Sequence, residues 1–187
     1  MEPRIQYAQT EDGVSIAYWT LGEGMPLVIT PTIPWSHIQL VWRIPESRRW
    51  YERLAEKRQL IRYDGRGSGL SEREVTDHSL EAHVLDLEAV VDRLNLKEFA
   101  LFGSQLSGLV AVNYTVRNPA RVSHLILWCS YARASDYYGL PRVASLLALL
   151  DRDWELFSET VAHAAFGWSA GEEARRFAAL MREGRIQ

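Results

Sequence analysis

The chain has 187 residues, 47% of them hydrophobic, and a formal net charge of -3, enough for one substantial core with an appendage. The mild acidity gives no electrostatic footprint for nucleic acid, and the single cysteine, Cys129, excludes an internal disulfide framework and reads as a small buried hydrophobe ending an apolar strand. No apolar run reaches membrane-spanning length and the start Met1-Glu2-Pro3-Arg4-Ile5 carries no signal region, so a cytoplasmic protein without membrane contact is expected; no motif points to a metal or other cofactor.

In chain order, Ile5 to Ala8 and Val14 to Trp19, split by Glu11-Asp12-Gly13, predict an opening hairpin. After a loop at Gly22 to Pro26, Leu27 to Thr30 predicts a buried strand, Tyr51 to Lys57 a helix, and Leu60 to Tyr63 the strand that delivers Asp64. Leu80, Val84, Leu87, Val91 and Leu94 recur at spacings of three and four, which makes one apolar helical stripe, with Ser79 placed to cap its start. Phe99 to Phe102 has the length of a fully buried parallel strand, Leu109 to Arg117 reads as a helix, and Leu125 to Trp128 as the next strand. From Tyr131 the pattern turns helical: Leu140 to Leu150, Trp154 to Phe166, and a last helix to Glu183 opened by a capping-box pattern at Ser169 to Glu172.

The segment Phe102-Gly103-Ser104-Gln105-Leu106-Ser107-Gly108 lies between a buried strand and a helix, the setting of a nucleophile elbow. Such a turn holds its central residue in a strained conformation above the sheet, so small residues are needed two positions before and after it. Gly103 and Ser107 fill those positions, and Gln105 stands where the nucleophile would be. A carboxamide cannot attack a carbonyl.

These residues, with Asp64-Gly65-Arg66-Gly67-Ser68-Gly69-Leu70-Ser71 before them, resemble the N-terminal part of the α/β-hydrolase fold, whose elbow follows a D-x-R-G-x-G-x-S loop. Asn118-Pro119-Ala120-Arg121-Val122 is similar to the family's exit from the elbow helix. The resemblance implies an α/β protein with a mostly parallel sheet over residues 1–130, stopping before the last two strands, and a helical lid over residues 131–187. It also implies that the triad acid and histidine fall outside this sequence, since the family carries them after the lid. None of His37, His78, His83, His124 and His163 stands at the family's position for the general base.

The family's His-Gly oxyanion loop is replaced by Pro31-Thr32-Ile33-Pro34. Thr32, Ile33 and Leu106 are therefore the expected oxyanion-region residues, with Ile33 and Leu106 offering N–H groups. Trp35 is the best ligand-contact candidate among Trp35, Trp42 and Trp50, which fall in the segment that lines the pocket front; Trp128, Trp154 and Trp168 read as packing residues. Ser104 and Ser107 are weak alternative nucleophiles, and a structural role outweighs catalysis for both. Asp64, Arg66 and Gly67 read as a structural loop that fixes the backbone beneath the pocket through ion-pair and hydrogen-bond contacts.

Within the superfamily, Trp35-Ser36-His37-Ile38-Gln39-Leu40, Arg62-Tyr63-Asp64-Gly65-Arg66-Gly67 and Arg121-Val122-Ser123 are most similar to hydrolase-like domains of bacterial regulators that accompany nucleotide-cyclase or helix-turn-helix output modules. Gln105, the altered oxyanion loop and the missing triad members together point to a non-catalytic ligand-binding or regulatory pseudo-hydrolase that holds a small apolar ligand or a partner; the alternative is a serine hydrolase of ester or amide bonds, present as a fragment or acting through a displaced serine. An unpaired apolar edge at Leu125 to Trp128 is expected to drive homo-oligomerisation or to be completed by a missing C-terminal portion.

Overall fold

Short apolar runs of this kind form strands buried on both faces, and a computed structural model, which describes residues 2–150 and 152–184, places them in one six-stranded sheet. The strands are β1 (Gln6–Gln9), β2 (Ser15–Leu21), β3 (Pro26–Ile29), β4 (Gln59–Tyr63), β5 (Phe99–Ser104) and β6 (Val122–Trp128), in the order β1-β2-β4-β3-β5-β6. The opening hairpin is antiparallel and joins β4 antiparallel through β2, while β3, β4, β5 and β6 pair in parallel. The expected mostly parallel α/β sheet is therefore present.

Alternation along each strand divides the apolar residues between two layers. Val28, Ile61, Tyr63, Phe99 and Leu101 face the helices α3 (Leu80–Arg93) and α4 (Ser107–Arg117), against Val84, Leu87, Val91, Val110 and Tyr114. Leu27, Ile29, Leu60 and Ala100 face the other side, packing with Trp19, Ile38, Trp42 and Tyr51 beneath α1 (Ile38–Arg43) and α2 (Pro45–Ala55). Of the expected stripe, Val84, Leu87 and Val91 are buried and Leu80 and Leu94 pack half-buried at its two ends, and Ser79 caps α3 by accepting from the Ala82 N–H at 3.2 Å. Each buried Leu or Val contributes about 1.5–3 kcal/mol, against about 1 kcal/mol for the cap, so the stripe fixes this helix and the serine fixes where it starts.

Beyond β6 come the lid-like helices α5 (Ala134–Tyr138), α6 (Pro141–Leu150), α7 (Trp154–Phe166) and α8 (Gly171–Gly184). Ala162, Ala174 and Ala178 let α7 and α8 pack closely, and Arg182 ties them by donating to Glu159 at 3.0 Å and to the Ser158 hydroxyl at 3.1 Å. The end of α8 docks on the loop after β3, where the Gly184 carbonyl accepts from the Ser36 N–H. Of the segment assigned to the lid, Asp151 and residues 185–187 lie outside the described residues.

Several expectations are corrected. The helix expected from Tyr51 begins at Pro45, because proline at the first helical position follows an extended Ile44. The last helix is opened by Ala170, whose carbonyl accepts from the Ala174 N–H, and not by a serine-capped box at Ser169. Cys129 is exposed with φ at +49°, since the chain turns sharply there after leaving the sheet. Trp128, read as a packing residue, is 65% exposed because β6 pairs on its β5 side only among the described residues.

Candidate functional site

The carboxyl ends of parallel strands are where such sheets place their sites, and β5 delivers Gln105 there with φ at +49°. A non-glycine residue in this left-handed region costs about 1–3 kcal/mol, so the surroundings must hold it. The Gln105 N–H donates to the Trp128 carbonyl at 3.1 Å, and the Gln105 carbonyl accepts from the Ser130 hydroxyl at 3.1 Å and the Gly108 N–H at 3.2 Å. Gly103 is required: a Cβ on it would stand 2.7 Å from the Ala111 Cβ and 2.9 Å from the Gly108 Cα. Gly108 is equally confined, with a Cβ placed 1.8 Å from the Ser130 Oγ.

Ser107 is fully buried. Its hydroxyl lies 2.8 Å from the Ser104 carbonyl and 2.8 Å from the Thr30 hydroxyl, which also stands 3.1 Å from the Phe102 carbonyl, so the two hydroxyl protons are shared among these acceptors. This locks β5 to β3 and removes Ser107 from any reacting position. Ser104, by contrast, borders the cavity.

That cavity, of about 510 Å³, lies between the strand ends and the lid. The core contributes Thr32, Ile33, Trp35, Ser104, Gln105 and Leu106, and the lid contributes mainly Val143, Leu146, Leu147 and Val161. The structure therefore brings together all five residues expected at the ligand and oxyanion region, with one of the two weak serines. No histidine or carboxylate lines the cavity among the described residues, and none of these residues forms a cluster of three or more His, Cys, Asp or Glu placed for a metal ion. Its polar groups are neutral: the Gln105 carboxamide, which carries two donors and one acceptor oxygen, and the hydroxyl residues Thr32, Ser104, Tyr131, Tyr137 and Tyr138, set in an otherwise apolar lining.

Of the three tryptophans expected at the pocket front, only Trp35 lines this cavity, packed against Phe157 and Trp154 at 6.3 and 6.5 Å between ring centroids. Trp42 is buried against Trp19 and Tyr51, and Trp50 leans on Tyr51 with 45% exposure. The sequence reading missed Tyr131, Tyr137 and Tyr138, which stack together in the lid wall; burial pushes the Tyr131 phenol up, so it stays neutral. Trp128, released from the packing role, is another wall residue. Trp168 is 78% exposed and stacks on His163, so it too lies outside the core.

The Asp64 loop sits beneath. Asp64 is fully buried and accepts from the Ser36 hydroxyl at 2.6 Å, the Ile38 N–H at 2.9 Å and the Leu70 N–H at 2.9 Å. Burial pushes its carboxyl up, against the lowering pull of these donors and of His37. Arg66 does not pair with it. The buried guanidinium donates to Asp86 at 2.9 Å and reaches Asp12 at 2.7 and 3.1 Å, tying the hairpin turn to α3. Gly67 has φ at +74° and its N–H donates to the Glu72 carbonyl at 2.8 Å. His37 caps α1, with Nδ1 accepting from the Leu40 N–H at 3.4 Å, and burial pushes its imidazole down, consistent with a neutral acceptor.

A strand–elbow–helix unit at the carboxyl edge of a parallel sheet, roofed by helices that follow β6, defines a hydrolase-type core with a lid. The sequence profile of the alpha/beta hydrolase fold matches residues 26–169, and the chain belongs to that family. A putative carbamate hydrolase, RutD, of Agrobacterium fabrum is 30% identical over 89 residues, 47% of this chain and 34% of that protein. Among solved structures, the esterase RhEst1 of a Rhodococcus species superimposes with a TM-score of 0.81 at 21% identity, covering 100% of this chain and 70% of that one. An Exiguobacterium antarcticum esterase gives 0.78 at 22% identity, covering 97% and 69%. The chain thus spans about a third of the length of the first relative and is similar to part of enzymes of the esterase type.

Proposed function

We propose that this chain is a hydrolase-fold domain that binds a small apolar ligand without turning it over, with residues 1–130 as the core and residues 131–187 as a lid that encloses the ligand. The observation that carries this reading is Gln105 in the left-handed elbow position on the cavity wall: the turn is kept while a carboxamide takes the nucleophile's place. The absence of imidazole and carboxylate from the lining of the described residues supports the same reading, as does the rewritten Thr32-Ile33 loop. The resemblance to hydrolase-like domains of bacterial regulators supports a regulatory, cytoplasmic role in which lid closure reports occupancy. No helix among the described residues is long and apolar enough to cross a membrane.

A second reading, a serine hydrolase of ester or amide bonds, is favoured by one observation, the place of Ser104 on the cavity wall. Short-chain p-nitrophenyl esters and a fluorophosphonate probe separate the two. The binding reading expects neither turnover nor labelling, from the natural chain or from Gln105→Ser, because no base faces the new hydroxyl. Labelling of Ser104, or esterase activity in Gln105→Ser, would sink it.

The reading extends to the sheet edge. Ile126, Leu127 and Trp128 on β6 are 43%, 47% and 65% exposed, and an apolar strand that pairs on one side only among the described residues is a template for another strand. A second copy of the chain is the proposed occupant. Light scattering is expected to show a dimer whose population rises with concentration, and a monodisperse monomer at high concentration counts against it.

A further inference from the structure

Arg62 on β4 is 8% exposed, and its side chain enters no ion pair among the described residues, unlike the other buried arginine, Arg66. The Arg62 Nε is buried without a hydrogen-bond partner. Among the described residues its compensation is the Tyr51 ring, whose centroid lies 5.2 Å from the guanidinium carbon. An arginine stays protonated in a protein, and a buried cation without a counter-ion is a costly arrangement. Ring attraction offsets only part of that cost.

Arg62 lines a second cavity of about 240 Å³, distinct from the elbow cavity and sharing Thr32, Trp35 and Phe177 with it as a common wall. The remaining charges sit at its mouth. Glu46 and Arg176 are exposed and already paired with Arg49 and Glu172, Glu173 is exposed on α8, and burial holds the His37 imidazole toward its neutral form. The interior of this cavity therefore carries one uncompensated positive charge. A dianion would meet the two glutamates on entry, whereas a monoanion neutralises the interior. A planar carboxylate also matches the guanidinium fork in two parallel hydrogen bonds. Ile44, Phe166 and Leu180 supply apolar contact around it.

We propose that this cavity is a binding site for a small organic monocarboxylate, its carboxylate held by Arg62 and its apolar body lodged between the lid helices and the segment after β3. The site is distinct from the elbow cavity and does not depend on whether that cavity is catalytic.

The test uses the 187-residue chain with benzoate, its neutral isostere benzamide, and inorganic phosphate, read by calorimetric titration and by melting temperature. Benzoate is expected to bind saturably and raise the melting temperature, with benzamide and phosphate doing neither. Arg62→Met is expected to weaken benzoate binding about tenfold or more and, by removing a charge with no partner, to melt no lower than the natural chain. Equal response to benzoate and benzamide, stronger binding of phosphate, no binding of benzoate, or benzoate binding that survives Arg62→Met would each overturn the proposal. So would an unfolded Arg62→Met chain, since it would mean that the guanidinium is already satisfied internally. Binding of benzoate in the elbow cavity alone is recognised by its indifference to Arg62→Met, so failure here leaves the reading of Gln105 to its own assays.

Discussion

Replacing Arg66 with methionine is expected to lower the unfolding free energy by about 3–5 kcal/mol, a fall in melting temperature on the order of 10 °C for a domain of this size. Arg66 and Asp86 are 1% and 0% exposed and meet at 2.9 Å, so removing the guanidinium leaves a buried carboxylate facing only the Arg66 backbone N–H and the His83 ring. Adding Asp86→Leu is expected to recover part of the loss, because it removes the stranded charge, but not all of it, because the backbone N–H then has no acceptor. Urea denaturation of the two variants checks both statements. A single variant as stable as the natural chain would mean that the pair is solvated. The same cluster sets an acid limb. Hydrogen bonding to Arg66 lowers Asp12 from its usual 3.8 to about 2, so the folded state prefers the charged form. Stability from this group is present above the unfolded value and is lost as pH falls toward 2. Asp12 is 38% exposed, so water screens the effect and the limb is shallow; in Arg66→Met it should shrink further, leaving the smaller lowering from the Thr10 hydroxyl.

The architecture was legible where chemistry is local. Strands buried on both faces show as continuous apolar runs, the α3 stripe shows its period, and Ser79 shows as a cap because a helix start needs an acceptor one turn away. The elbow was legible because its demands on Gly103 and Gln105 act within a few residues. What the sequence hid depends on contacts between distant segments. Arg66 meets Asp12 and Asp86, which are 54 and 20 residues away, and nothing local distinguishes those carboxylates from surface ones. Trp128 and Cys129 end an apolar run and so look buried; their exposure follows from where β6 stands in the sheet, a property of strand order. The Tyr131 cluster and Ser130 were missed because the chain turns back onto the elbow only after β6. Arg62 lay inside a strand motif, and a charge there carries no local sign that its partner is absent.

Gly103→Val tests whether the elbow is as tight as its geometry requires. Its Cβ would approach both the Ala111 side chain and the Gly108 backbone, and backbone cannot move aside without shifting the start of α4. A loss of about 1–3 kcal/mol is expected from this overpacking, and displacement of the turn carries Gln105 out of the cavity wall. Thermal unfolding reads the first effect, and loss of apolar-probe binding in a still-folded variant reads the second; a variant that melts and binds like the natural chain would show that the turn is loose. Two residues after Gln105 the family's small position holds Ser107, yet its hydroxyl fits because it turns inward to Thr30 and the Ser104 carbonyl. The close approach falls one residue later, where Gly108 touches Ser130. Tightness at this elbow is therefore set by Gly103 and Gly108 together, and it holds with glutamine at the centre.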